Sequence, residues 1–219
     1  YDFNICNGDV YDFLLFKEIK NLKYVNIGVN AHIFTPMQIE KNSIVKFLFV
    51  GRLIKVKNIP LLINAFSSAA KMNENISLTI VGSGDKHLEK LVLNSTSKHI
   101  DYLGELENYK LPLIYNQHDA FLITSDYDNF PNTVLEAMSC GLPVIGTKVG
   151  GITKQVKHEK TGLLVNKNDE LDLVNSILRI AESKDLRKLM AENARNEILN
   201  SYSWESSSIL LQNIYTNVY

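Results

Sequence analysis

Ile44-Val45-Lys46-Phe47-Leu48-Phe49-Val50-Gly51 opens the part of the chain that decides the fold. Residues 45–50 are an almost unbroken apolar run that stops at a glycine. Such a run suits a strand buried on both faces, as in a parallel sheet covered by helices. The next periodic segment, 59–70, has helical spacing, with Leu62, Ala65, Phe66 and Ala69 on one side. The alternation then repeats. Strands are predicted at 76–81, 99–103, 120–123, 143–146 and 162–165, and helices at 85–93, 111–115 and 132–140, the last stopped by Gly141. Three more helical stretches follow at 171–181, 186–199 and 204–215.

Strands alternating with helices give βαβ units, and right-handed crossovers turn these into an α/β, doubly wound parallel sheet. Ligands of such sheets bind beyond the C-terminal ends of the strands. That rule directs attention to the loops at 51–58, 82–85, 104–108, 124–132 and 147–152. Upstream of residue 44 lie a short apolar stretch at 2–5, a predicted helix at 10–19 and a strand at 23–27. Gly28-Val29-Asn30 breaks that pattern, Phe34-Thr35-Pro36 ends it, and 37–43 reads as a polar connector.

The bulk numbers limit the function classes. A chain of 219 residues that is 45% hydrophobic can bury one good core with a small appendage. A net charge of -1 implies no basic face and no nucleic-acid partner. Cys6 and Cys140 are far apart and form no C-x-x-C, which fits a reducing compartment and no zinc site. There is no charged-then-apolar leader and no apolar run near the ~18 residues of a membrane span. The expected location is therefore cytoplasmic. The chain begins with Tyr1, so it is expected to be a piece of a longer protein with further chemistry upstream.

The first loop, Gly51-Arg52-Leu53-Ile54-Lys55-Val56-Lys57-Asn58, carries Arg52 and Lys57 at the mouth of the sheet. Gly51 lets the chain turn off its strand. An arginine fork and a lysine point charge suit phosphate oxygens, although a solvated basic loop reads the same way. The second, Val81-Gly82-Ser83-Gly84-Asp85, has only part of a dinucleotide fingerprint, because His87 stands where a third glycine belongs. A tight strand-to-helix turn is the favoured reading.

The fourth loop is the most informative: Ser125-Asp126-Tyr127-Asp128-Asn129-Phe130-Pro131-Asn132-Thr133-Val134-Leu135-Glu136. Pro131 stands just before a helix, with Asn132 or Thr133 as its expected N-cap. Free backbone N–H groups at a helix start make an anion site. Asp128 precedes that helix and Glu136 lies inside it, placed to accept bonds from sugar or ribose hydroxyls. Glu136 sits among Val134, Leu135, Ala137 and Met138, and a carboxylate in so apolar a helix needs a partner. A competing motif, Asp126-Tyr127-Asp128, is a D-x-D of the kind that holds a divalent metal in another transferase class. In the fifth loop Gly150 and Gly151 permit either close approach to a ligand or a structural turn. None of the five histidines has metal-ligand spacing.

Taken in order, these loops resemble glycosyltransferase family 4, the group 1 glycosyltransferases of GT-B architecture. Gly28-Val29-Asn30 with Phe34-Thr35-Pro36 resembles the family's G-V-D…F-x-P signature. Val50-Gly51-Arg52-Leu53 with Lys57 resembles V-G-R-L…K-G. Val81 to Gly84 and Tyr102-Leu103-Gly104 resemble its G-x-G and F-L-G turns, and 125–141 its long E-x7-E block. The resemblance runs from about Ile27 to Trp204. It implies the C-terminal, Rossmann-like half of a GT-B enzyme: 1–43 a remnant of the N-terminal domain and connector, 44–200 the nucleotide-sugar domain, 201–219 a crossover helix.

The family's roles then fall on matching positions. Arg52 and Lys57 would neutralise the donor diphosphate, and Phe130, Pro131, Asn132 and Thr133 would offer backbone N–H groups. Asp128 would touch the sugar and Glu136 the ribose. The base would lie near Gly82, Gly84 and Leu103. The family is mostly retaining and metal-independent, so no cofactor is expected beyond a UDP- or GDP-type sugar donor. An N-terminal domain absent from this chain would bring the acceptor, a glycan or lipid, and any association with the inner face of the membrane. Four positions depart from the pattern: Asp128 for Glu, Asn129 for Gly, Asn58 for Gly, and Lys154 where many members carry Glu. Lys154 either adds a cation near the site or points to water. Other readings are a dinucleotide-dependent oxidoreductase, a module that kept the fold and lost catalysis, and the D-x-D metal transferase. Trp204, Ile209 and Tyr215 are expected to be exposed without the other domain.

Overall fold

The computed structural model describes residues 4–39 and 43–216; the first residues of the 2–5 stretch and most of the end of the predicted connector lie outside them. The described chain opens with a small unit: β1 (Asn4–Cys6), α1 (Gly8–Phe16) and β2 (Leu22–Tyr24). β1 and β2 pair in parallel through Asn4↔Leu22, Ile5↔Lys23 and Cys6↔Tyr24. A two-stranded sheet is marginal by itself, and this one leans on the larger body described next. α1 stops earlier than the predicted residue 19, because Glu18 and Asn21 take positive φ of 55° and 57° and turn the chain into β2.

The main body runs β3 (Val45–Val50), α2 (Ile59–Met72), β4 (Ile76–Val81), α3 (Lys86–Asn94), β5 (Ile100–Tyr102), α4 (Leu111–Asn116), β6 (Ala120–Ile123), α5 (Asn132–Ser139), β7 (Val144–Thr147), α6 (Ile152–Gln155), β8 (Gly162–Val165), α7 (Glu170–Glu182), α8 (Lys184–Glu197) and α9 (Trp204–Thr216). The six strands β3 to β8 form one parallel sheet in the order β5-β4-β3-β6-β7-β8. The strand order reverses between β3 and β6, which is the switch point of a doubly wound sheet. Pairing differs sharply on the two sides of β3. With β4 it extends over six residue pairs to Val50↔Val81, whereas with β6 it covers only Phe47↔Ala120 and Leu48↔Phe121. The C-terminal ends of β3 and β6 therefore part, and a crevice opens between the loops that follow them.

Both faces of the sheet are covered, as the apolar runs require. Phe47, Phe49, Leu78 and Ile80 pack with Phe66 of α2 and Ile177 and Ile180 of α7. Phe47 and Phe66 meet edge to face at 5.7 Å. Leu48, Val50, Phe121 and Ile123 point to the other side, against Val134 and Met138 of α5 and Ala194 of α8. Each fully buried Phe, Leu, Ile, Val or Met among them contributes roughly 1.5–3 kcal/mol.

The predicted helix at 186–199 starts earlier, at Lys184, where Ser183 Oγ accepts Leu186 N. It then passes at Ile198–Tyr202 into a π-helical turn. α6 has no predicted counterpart, since four residues are too few to show a helical period. Ser203, between the π turn and α9, lies beside the Gly28-Val29-Asn30 segment. Val29 N donates to Tyr202 O at 2.8 Å, Trp204 N to Val29 O at 3.0 Å, and the Trp204 indole to Gly28 O at 3.0 Å. Trp204, Ile209 and Tyr215 are exposed, as expected. No helix among the described residues is long and apolar enough to cross a membrane.

Candidate functional site

The loops after β3 and β6 are tied across the crevice at their bases. Asp126 N donates to Val56 O at 2.7 Å, and Thr124 Oγ1 donates to Lys57 O at 2.9 Å. Lys55–Lys57 form a 3₁₀ turn, and Asn58 follows at φ 47°, ψ 52°. Asparagine tolerates that left-handed conformation better than other side-chain-bearing residues. Asn58 thus keeps the backbone a glycine would give, and its Oδ1 adds a cap to α2 by accepting Leu61 N. The turn aims Lys57 at Asp128. Their side chains form an ion pair, only 14% and 18% exposed, and Ser125 Oγ donates to the same carboxylate at 3.1 Å. Arg52, by contrast, is exposed, and its side chain has no hydrogen bond or ion pair among the described residues.

α5 starts at Asn132, but the capping residue is Pro131, not Asn132 or Thr133 as expected, and no side chain caps the helix. Proline has no N–H, so Pro131 is no amide donor either; its carbonyl instead accepts the amide of fully buried Gln155 at 3.1 Å. The N–H groups of Asn132 and Thr133 donate to nothing among the described residues. An uncapped helix start carries partial positive charge, and here it comes four residues after Asp128 of the ion pair. Phe130 is buried against Tyr202 at 5.9 Å, so its ring is a packing anchor.

Glu136 points off the same helix into a cavity of about 740 Å³ lined also by Asn108, Tyr109, Asn132, Leu135 and Trp204. That volume is in the range of small-molecule sites. The partner its apolar helix demands is Tyr115 of α4, whose hydroxyl donates to Glu136 Oε2 at 2.8 Å. Burial raises the pKa of Glu136, and the bond from Tyr115 lowers it in part. One turn along, burial and the charge of Glu136 push the Cys140 thiol up to about 12, so it stays protonated.

The raised carboxyl has a stability consequence. Below the ordinary value of 4.5, Glu136 is neutral folded and unfolded alike. As pH rises through its higher folded pKa, ionisation is harder in the folded chain, and stability is lost. Glu136→Gln is therefore expected to raise Tm at neutral pH, with the gain shrinking in acid. Thermal melts across pH check this, and an equal gain at every pH would contradict it.

The glycine loops divide. A Cβ at Gly82 would stand 1.9 Å from Gly51 O, and one at Gly84 2.4 Å from Leu53 O. Their bareness lets the loops after β3 and β4 lie against each other, which is the turn role. Asp85 caps α3 by accepting His87 N at 2.8 Å. Leu103 lines a separate cavity of about 670 Å³ with Lys46, Thr79, Asp101 and His118, so the structure does not bring it into one cavity with Glu136. The D-x-D carboxylates diverge: Asp126 faces Asn58 and Lys167, while Asp128 faces Lys57 and Ser125. No group of three or more His, Cys, Asp or Glu among the described residues is arranged to hold a metal ion.

The departures at Asn129 and Lys154 face the small N-terminal unit. Asn129 Nδ2 donates to Asn7 Oδ1 at 3.1 Å, and its Oδ1 accepts Val10 N at 3.3 Å. Lys154 is neither directed to water nor a spare cation for the site: it donates to Gly8 O at 3.0 Å and pairs with Asp12 at 2.5 Å. The paired glycines let α6 begin against the Asp128–Asn129 backbone, where Gly151 N donates to Asp128 O at 2.8 Å.

Sequence reasoning missed Tyr115, Ser125 and Gln155. For Tyr115 a signal existed: a hydroxyl-bearing ring on a buried helix face needs a partner, as does the carboxylate of Glu136. Nothing in the sequence said that the two meet.

The pattern of the family described as "Glycosyl transferases group 1" matches residues 37–197. An uncharacterized glycosyltransferase of Methanocaldococcus jannaschii is 32% identical over 171 residues, covering 77% of this chain and 44% of its own. The Escherichia coli UDP-Gal:alpha-D-GlcNAc-diphosphoundecaprenol alpha-1,3-galactosyltransferase is 31% identical over 225 residues, covering 92% and 54%. The crystal structure of Anabaena HepE in complex with UDP and glucose superposes with a TM-score of 0.81 at 19% identity, over 99% of this chain and 62% of that one. The chain thus spans about half the length of the curated relatives it matches.

Proposed function

This chain belongs to the group 1 glycosyl transferases, and we propose on that premise that it is the donor-binding half of a retaining, metal-independent hexosyltransferase using a UDP-sugar. The observation that carries the proposal is the α5 start: an uncapped helix N-terminus that follows the loop holding the Lys57–Asp128 pair and has Glu136 one turn inside it. The choice of UDP draws on the UDP-galactose donor named for the E. coli relative and the UDP bound to HepE.

In this reading the diphosphate lies at the helix start, with Lys57 shared between it and Asp128 and Arg52 closing from solvent. As the glycosidic bond to the diphosphate breaks, charge builds on the leaving oxygens. Lys57 and the amides, already in place, stabilise that charge more than they stabilise the bound donor. Asp128 reads a sugar hydroxyl and Glu136 the ribose. An N-terminal domain supplies the acceptor, a glycan or lipid at the cytoplasmic face of the membrane.

Calorimetric titration with UDP, GDP, ADP and NAD, each with and without manganese, tests the proposal. Saturable, manganese-independent binding of UDP is expected. Binding of NAD alone, or of a nucleotide only with manganese, would overturn it.

A further inference from the structure

We infer that Tyr115 is a positioning residue for the nucleotide: its hydroxyl holds one oxygen of Glu136 and thereby turns the other into the cavity where the ribose is read. The inference rests on the donor-binding reading above and adds a residue that touches no ligand.

Three observations carry it. Tyr115 is completely buried, and its ring is wedged between Phe34 and Phe121 at 5.9 Å each, which fixes where its hydroxyl sits. That hydroxyl donates to Glu136 Oε2 at 2.8 Å, across from α4 to α5; its other acceptor in reach, the Thr133 carbonyl, is neutral and longer at 3.4 Å. Oε1 has no protein partner among the described residues, and Glu136 is the one charged side chain lining its cavity. A carboxylate on a long side chain would otherwise sample several rotamers, and fixing it before the ligand arrives removes an ordering cost from binding. A second effect follows from charge. The bond from Tyr115 favours the ionised carboxylate, which accepts a hydroxyl more strongly than the neutral acid does. The other titratable groups near Glu136 are Cys140 on α5, protonated at neutral pH, and Tyr109 at the cavity rim; no cation lines it.

The experiment is calorimetry of this chain with UDP and with 2′,3′-dideoxy-UDP, on the wild type, Tyr115→Phe, Glu136→Ala and the double variant. Tyr115→Phe is expected to weaken UDP binding about tenfold. It should leave dideoxy-UDP binding unchanged, and it should cost nothing further in the Glu136→Ala background. The loss of UDP affinity on acidification should begin at higher pH in Tyr115→Phe, because the carboxyl loses the bond that lowers its pKa. Should Tyr115→Phe fail to fold, Glu136→Asp reads the same contact, since its carboxylate falls one methylene short of Tyr115; it should lose discrimination between UDP and the dideoxy analogue. Equal weakening of both nucleotides by Tyr115→Phe, or unchanged UDP binding, overturns the inference. A wild type that binds no UDP overturns the donor-binding reading instead.

Discussion

Lys57→Ala is expected to lower the kcat/KM of the full-length transferase proposed above by roughly 10²–10³-fold, the effect of removing one pre-placed charge partner from a leaving group. It is also expected to destabilise the fold by about 1–3 kcal/mol. Lys57 and Asp128 form a pair with both side chains largely buried, and without the ammonium the Asp128 carboxylate keeps only the hydroxyl of Ser125. Arg52 provides the contrast. Its guanidinium is exposed and has no hydrogen bond or ion pair among the described residues, so Arg52→Ala should depress turnover while leaving Tm where it is. Steady-state kinetics paired with thermal melts separate the two. Unchanged turnover in both variants would remove the diphosphate role from this loop, and a lowered Tm in Arg52→Ala would show a structural contact that the fold does not contain.

The second large effect is expected from Gly151→Ala. The backbone at Gly151 is ordinary, with φ -65° and ψ -16°, so alanine suffers no conformational strain there. The obstacle is space: a Cβ would stand 1.8 Å from Asn129 O. Either α6 or the 128–131 loop must retreat until an ordinary contact of about 3.5 Å is restored. The loop carries Asp128 on one side and the α5 start on the other, so its retreat disturbs both. We expect a stability loss of about 1–3 kcal/mol and a UDP-sugar affinity at least about tenfold weaker, since small displacements of positioning groups are costly. Gly104→Ala is the control: Gly104 has a φ of 66° but open space around its Cβ, so alanine there adds strain without displacement. Calorimetry with UDP-sugar decides the matter, and wild-type affinity in Gly151→Ala would mean that the loop can move without affecting the donor.

Much of this was legible beforehand. The doubly buried run at 45–50 and the helical spacing at 59–70 dictated the sheet and its cover, because burial on two faces leaves a distinct composition. The loops that matter followed from topology, since a doubly wound sheet gathers its ligand groups at one end. Pairings between distant segments were not legible. Lys57 with Asp128, and Tyr115 with Glu136, are set by how two loops or two helices settle against each other, and no local period encodes that. The start of α5 was misread for a related reason. Asn132 and Thr133 have the chemistry of caps, but Pro131 occupies the capping position and leaves the amides bare. Lys154 was misjudged because its partners, Gly8 and Asp12, belong to the small unit that packs on this body.

The segment at Gly28-Val29-Asn30 and the one at Ser203-Trp204 run side by side, bonded from Val29 to Tyr202 and Trp204 and from the Trp204 indole to Gly28. Mechanically, this is a strap two segments wide where a single strand would be a swivel. A single strand allows twist, tilt and slip between the parts it joins. A laced pair resists slip and twist, because either would break bonds along its length. Movement of the small N-terminal unit against the body that carries Glu136 would therefore strain these bonds together with those at Asn129 and Lys154.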